Sequence, residues 1–189
     1  MTQEFDVTPA ARHRLPGDPL PSVEVERMLR VDHAGEFGAT RIYRGQLDIL
    51  GRGRGAGEIR RMAEAEQRHL ATFEALLRKH RVRPTLLQPL WSLAGYMLGA
   101  STALLGAQAA MACTVAVEDV IDEHYRGQAG CLLDHDPALA ETMLDFRADE
   151  LAHRDLAIVQ GAEQTPGYDL LTAAIKAGSR AAIWLSTRI

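Results

Sequence analysis

Cysteine is scarce in this chain of 189 residues, and the two present, Cys113 and Cys131, stand 18 apart with no Cys-x-x-Cys spacing. That excludes a disulfide framework and a thiolate zinc site, and it points to reduced, inert thiols in a reducing compartment. Aromatic residues are also few, 5% against 47% hydrophobic overall, with Ala and Leu dominant. Such a balance favours helix over sheet, and the expected fold class is all-α. No run of Lys and Arg appears and the formal charge is −4, so nucleic acid is excluded as a partner. Residues 1–21 lack the apolar run of a secretory signal and carry Glu4, Asp6, Pro9, Pro16, Pro19 and Pro21. They are expected to form an irregular arm on a chain that stays in the cytoplasm, ahead of one domain over residues 22–189.

What is present is a duplicated order of ligand-type residues. Glu36 is followed 30 positions later by Glu66-Gln67-Arg68-His69, and Glu118 is followed 32 positions later by Glu150-Leu151-Ala152-His153. On a helix, Glu and His three apart share one face and can point at one metal ion. One such pair is ordinary on a solvated face. Here, however, the pairs interrupt apolar stripes: Leu29, Ala39, Tyr43 and Leu47 flank Glu36, Met62, Leu70, Phe73 and Leu77 flank the first pair, and Phe146 and Ala157 flank the second. Burying unpaired carboxylates and imidazoles costs several kcal/mol, on the order of 2–7 kcal/mol even for a neutral polar group, so a cation is needed to compensate them. A lone Glu on each of two helices with Glu-x-x-His on each of two others is the ligand order of ferritin-like di-iron or di-manganese four-helix bundles. Four carboxylates bring four negative charges, which two ferrous ions cancel. Mixed oxygen and nitrogen ligands suit iron or manganese better than structural zinc.

The helices that carry these residues can be placed by periodicity and breaks. Ser22 is the expected N-cap of a first helix reaching about Leu50. The Gly51–Gly57 stretch contains Arg52 and Arg54 and suggests a phosphate cradle, but no strand precedes it, so it reads as a link between antiparallel helices. A second helix is expected over 58–81, a third over 107–133, and a fourth from Asp136-Pro137 to about Gly161. Between them, the 34 positions from Pro84 to Val117 hold no charged residue or histidine. This segment is expected to be a long crossover and a buried helix, with some apolar surface resting in the outer layer of a bilayer; a true span ranks third. The last helix, 169–188, carries Lys176, Arg180 and Arg188 and either covers the bundle or lies on an anionic membrane, cover being commoner. Tyr125 either stands near the metal and joins proton or electron transfer, or packs with its hydroxyl bonded to a neighbour. Asp149 is placed to accept the second ring N–H of His69, leaving Asp32 or Asp122 to serve His153. His80, His124 and His135 have no matching spacing and are expected at the surface.

Several longer stretches carry a resemblance as well. Val31-Asp32-His33-Ala34-Gly35-Glu36, Tyr43-Arg44-Gly45-Gln46, Cys113-Thr114-Val115-Ala116-Val117-Glu118, His124-Tyr125 and Asp149-Glu150-Leu151-Ala152-His153 are similar to the demethoxyubiquinone hydroxylase family of ubiquinone biosynthesis. The resemblance runs from about Leu29 to the carboxyl end. It implies a ferritin-like di-iron monooxygenase that hydroxylates a demethoxyubiquinol ring with O2 at a membrane surface. It carries six metal ligands to Glu36, Glu66, His69, Glu118, Glu150 and His153, two Fe ions as cofactor, and a tyrosine near the irons to Tyr125. Glu118 and one other glutamate are expected to bridge the irons. Quinol access is expected between segment 86–105 and its neighbours, and electrons from NADH or from the quinol itself. Without a transit peptide rich in Arg and Ser, the chain is expected at the cytoplasmic side of a bacterial cell membrane, alone, as a homo-oligomer or in a ubiquinone-biosynthesis complex. Iron storage and a non-catalytic quinone-binding scaffold are the competing readings.

Overall fold

The computed structural model describes residues 21–189, so the expected arm lies almost wholly outside the described residues. Six helices follow one another: α1 (Pro21–Leu50), α2 (Ala56–His80), α3 (Gln88–Leu104), α4 (Ala107–Leu132), α5 (Pro137–Val159) and α6 (Tyr168–Ser186). A short 3-10 turn, Ala162–Gln164, precedes α6, and no strand occurs among the described residues. The architecture is the expected all-α one, a ferritin-like bundle of α1, α2, α4 and α5 with α3 and α6 added on its flank.

Local chemistry explains the boundaries. Asp136 caps α5 by accepting from the Leu139 amide at 3.1 Å, with Pro137 in the first turn where its missing N–H is no loss. α1 already includes Pro21, so Ser22 lies inside the helix and is not its cap. Proline at a helix start has a preset φ, which favours beginning the helix two residues earlier than a cap at Ser22 requires. Gly51 and Gly55 take φ of 61° and 80° in the link to α2, conformations that a side chain disfavours.

The long uncharged stretch resolves into two helices broken at Gly106, whose φ of 117° halts α3 before α4 begins. α3 lies along α1 so closely that a Cβ on Gly99 would fall inside the Ile42 carbonyl, and one on Gly95 would sit 2.9 Å from the Gly38 carbonyl. The glycines that interrupt the apolar run therefore make backbone-to-backbone packing possible. The opposite side of α3 is bare, with Leu90, Leu93, Met97 and Leu104 exposed. Among the described residues no helix is long and apolar enough to cross a membrane.

α6 covers α4, and two basic residues of α6 pair with acidic residues of α4. Lys176 Nζ lies 2.7 Å from Asp119 Oδ2, and Arg180 pairs with Glu123 at 3.0 Å. Trp91 on α3 donates to the Ser186 hydroxyl at 2.9 Å, joining the two added helices. Within the bundle, one apolar cluster contains Leu29, Phe73, Leu132 and Met143, and another contains Ile59, Met62, Met111 and Val115. Along α2 the buried sequence Ile59, Met62, Glu66, His69, Phe73, Leu77 passes from one cluster to the other, which puts the polar pair between them.

Candidate metal centre

All six ligand-type side chains named from the sequence meet in that gap. Glu36, Glu66, His69, Glu118 and Glu150 are at most 3% exposed and His153 is 9% exposed, so bulk water does not compensate their charge. Their donor atoms fall into two groups, each within 4.8 Å: Glu36, Glu66, His69 and Glu150 in one, Glu66, Glu118, Glu150 and His153 in the other. Glu66 and Glu150 belong to both. His69 Nδ1 lies 3.1 Å from Glu150 Oε1 and 3.7 Å from Glu66 Oε2, while His153 Nδ1 lies 3.1 Å from the other oxygen of each. Each of these two glutamates thus presents one oxygen to each histidine. Glu118, expected to be shared, falls in one group only, because the glutamates of the two Glu-x-x-His turns stand nearer the middle.

The electrostatics of this gap are unfavourable without cations. Burial pushes the Glu36 carboxyl up to about 8, with the Glu66 charge adding to it. Glu118 is driven well above the carboxylate range by burial and by Glu150 and Glu66. Burial alone would lower the two histidines, yet the surrounding carboxylates win: His69 is raised strongly and His153 to about 9. Glu36 Oε2 and Glu66 Oε1 are buried without a hydrogen-bond partner. Oxygen and nitrogen donors crowded in this way, with lone pairs left over, fit a pair of hard divalent cations.

Two tyrosines complete the arrangement, and only one was singled out from the sequence. Tyr125 on α4 donates its hydroxyl to Glu36 Oε1 on α1, and Tyr43 on α1 donates to Glu118 Oε1 on α4 at 3.0 Å. Each tyrosine stands seven positions after the lone glutamate of its own helix and bonds to that of the other. That repeated interval was the available signal for Tyr43, whose phenol is raised well above its ordinary value by burial and by Glu118. Tyr125 is packed, hydrogen-bonded and beside the donor cluster.

The sequence was compared with known proteins. The profile of the family described as "Ubiquinone biosynthesis protein COQ7" matches residues 23–186. The "3-demethoxyubiquinol 3-hydroxylase" of Rhodospirillum rubrum is 53% identical over 180 residues, covering 95% of this chain and 85% of that protein. The mouse "NADPH-dependent 3-demethoxyubiquinone 3-hydroxylase, mitochondrial" is 49% identical over 175 residues, covering 90% and 81%. The "5-demethoxyubiquinone hydroxylase, mitochondrial" of Saccharomyces cerevisiae is 39% identical over 182 residues, covering 87% and 78%. The chain belongs to the COQ7 family.

Outside the donor cluster, this COQ7-family chain holds further polar groups. Asp149 Oδ2 meets His69 Nε2 at 3.1 Å, and the Phe146 ring stacks on the same imidazole at 4.1 Å, so the ring is fixed on two sides. Asp32 and Asp122 serve other partners than His153. Asp32 is buried and accepts from His124 Nε2 at 3.0 Å and Gln128 Nε2 at 2.8 Å, while Asp122 pairs with Arg147 at 2.6 Å. His124 is therefore half-buried, contrary to the surface position expected of it, because the buried Asp32 carboxylate draws its ring inward. His80 is also half-buried, and His135 is exposed as expected. Cys113 and Cys131 are both free, and burial pushes the Cys113 thiol up to about 12, which leaves it unreactive.

Proposed function

We propose that this chain is a di-iron monooxygenase that hydroxylates the ring of a demethoxyubiquinol intermediate with O2 in ubiquinone biosynthesis. The observation that carries it is the pair of buried donor groups sharing Glu66 and Glu150. Glu36 and His69 would hold one iron, Glu118 and His153 the other, with Glu66 and Glu150 common to both. When bound, the two irons supply the reduction of O2 and the transfer of one of its oxygen atoms to the ring. The protein orients and protects that chemistry: Tyr125 and Tyr43 each hold a proton at one oxygen of a lone glutamate, and Asp149 fixes the His69 tautomer. A nicotinamide nucleotide is the proposed reductant, the mouse relative being named NADPH-dependent.

A long-tailed quinol needs an apolar place beside the centre. An apolar cavity of about 490 Å³ lies between α1, α3, α4 and α6, with Ala39, Ile42, Leu98 and Ile175 among its walls. Gly35 and Val117 also line it, each one residue before a lone glutamate, so the cavity runs along the outer side of the two helix segments that carry Glu36 and Glu118. The bare face of α3 supports docking of this flank on a membrane surface, proposed as the cytoplasmic side of a bacterial membrane.

Glu150 donates to both groups, so Glu150→Ala is expected to lower bound iron from two ions per chain to fewer than one and to abolish oxygen uptake with quinol. Unchanged iron and turnover would remove Glu150 from the centre. Quinones extracted from cells lacking the protein are expected to contain accumulated demethoxyubiquinone, and a normal profile would refute the substrate assignment.

A further inference from the structure

Four helices wall the apolar cavity in a ring. α3 lies along α1 and α6 along α4, so the wall made by α1 and α4, with Gly35 and Val117 beside the lone glutamates, faces a wall made by α3 and α6. That second wall is poorly closed. Among the described residues one hydrogen bond joins α3 to α6, from Trp91 to Ser186, and no ion pair does. Both residues line the cavity, so the bond marks one place on an otherwise unbonded seam. Elsewhere along the seam, Ala94 on α3 and Ala174 and Gly178 on α6 line the cavity and are also exposed. No residue that α1 or α4 gives to the wall is exposed. A residue that belongs both to the cavity wall and to the outer surface marks an opening, and here every such residue stands on α3 or α6.

The edges of this slot are small without a packing reason. A Cβ on Gly178 would meet nothing within 4 Å, whereas Gly95 and Gly99 are held to glycine by the backbone of α1. Glycine inside a helix lowers its stability, so the space at Gly178 is kept open at a cost that no neighbouring side chain explains. The slot also opens onto apolar surface. Leu90 and Met97 stand one turn to either side of Ala94, Leu170 stands one turn before Ala174, and all three are exposed. No charged residue lines the cavity. Its volume of about 490 Å³ suits a ring and the start of a tail, as in small-molecule sites of roughly 300–1,000 Å³, and not a polyprenyl chain. The remainder of such a chain has to leave. We propose that the quinol's hydrocarbon tail leaves through the slot edged by Ala94, Ala174 and Gly178, and that these small residues decide whether a tailed substrate is accepted. The inference rests on the quinol reading of the same cavity.

The test uses the full-length, iron-loaded chain in detergent micelles, with demethoxyubiquinol bearing either no tail or a polyprenyl tail. Turnover and iron content are measured for wild type, Ala94→Leu, Gly178→Leu, the smaller block Gly178→Val, and Ala173→Leu, which adds bulk at an exposed position of α6 outside the cavity. Binding is read separately. The chain has two tryptophans, so in a Trp184→Phe background the quenching of Trp91 fluorescence by the oxidised quinones reports the cavity. The expected result is that Ala94→Leu and Gly178→Leu keep the wild-type iron content while the ratio of kcat/KM for tailed to tail-less quinol falls roughly ten- to hundredfold. Quenching by the tailed quinone weakens in step, Gly178→Val shows a smaller effect of the same sign, and Ala173→Leu matches wild type. The proposal is overturned if a slot variant that retains its iron leaves the ratio at the Ala173→Leu value, as it does when both quinols are lost equally. If wild type turns over neither quinol, the hydroxylase reading fails, and the tailed-to-tail-less ratio in the quenching series decides the slot by the same criterion.

Discussion

Asp149 is the residue through which the centre meets solvent, its side chain 55% exposed while the imidazole it holds is buried. Replacing it by asparagine keeps the shape but removes the charge that favours His69 as a ligand through Nδ1. Asp149→Asn is expected to weaken iron binding by about 10–100-fold. Competition against a chelator measures this, and an unchanged affinity would show that Asp149 does not position His69. At this scale the sequence was informative wherever chemistry follows an interval along one helix. Glu-x-x-His is such an interval, and so is the step of seven from lone glutamate to tyrosine, although its second occurrence at Tyr43 was read only as core. What intervals along a helix do not contain is which oxygen faces which partner on another helix. The sharing of Glu66 and Glu150, the exchange of tyrosines between α1 and α4, and the pairing of His124 with Asp32 all depend on distances across the bundle.

Among the elements, α3 owes its place to what its glycines omit. A methyl group at Gly99 collides with the backbone of Ile42, which cannot move aside as a flexible side chain would. Gly99→Ala is expected to destabilise the chain by about 1–3 kcal/mol or more. In a domain of this size that lowers the thermal midpoint by roughly 2–4 °C for each kcal/mol. Calorimetry checks it, and an unaltered midpoint would mean that α1 and α3 are not so closely seated. Helix positions were otherwise legible, because period, proline and glycine mark them. The start of α4 at Ala107 was legible as well, but the bounds of α3 were not, since an uncharged run with glycines scattered through it offers no charge pattern to mark them.

For the molecule as a whole, the crowded carboxylates and imidazoles make folding depend on pH when metal is removed. Glu36 ionises near 4.5 in the unfolded chain but at about 8 in the folded one, so its contribution favours folding less as pH rises across that window. His153 acts in the same sense: what it contributes is complete below its ordinary 6.5 and is lost as pH rises through about 9. The thermal midpoint of the iron-free protein is expected to fall by several degrees between about pH 5 and pH 9. Ferrous or manganous ion at two per chain is expected to flatten that slope, and an iron-free midpoint that rises with pH would contradict the burial of these groups.

The doubled order of the sequence has a consequence for ancestry. Divided at Gly106, the chain yields one piece with Glu36, Glu66 and His69 and another with Glu118, Glu150 and His153, and each set of four donors draws its fourth from the other piece. Neither piece owns a whole donor group. An ancestor of half this length would therefore have completed such a donor group only by pairing with a twin, and the joining of two genes would have made that partnership permanent.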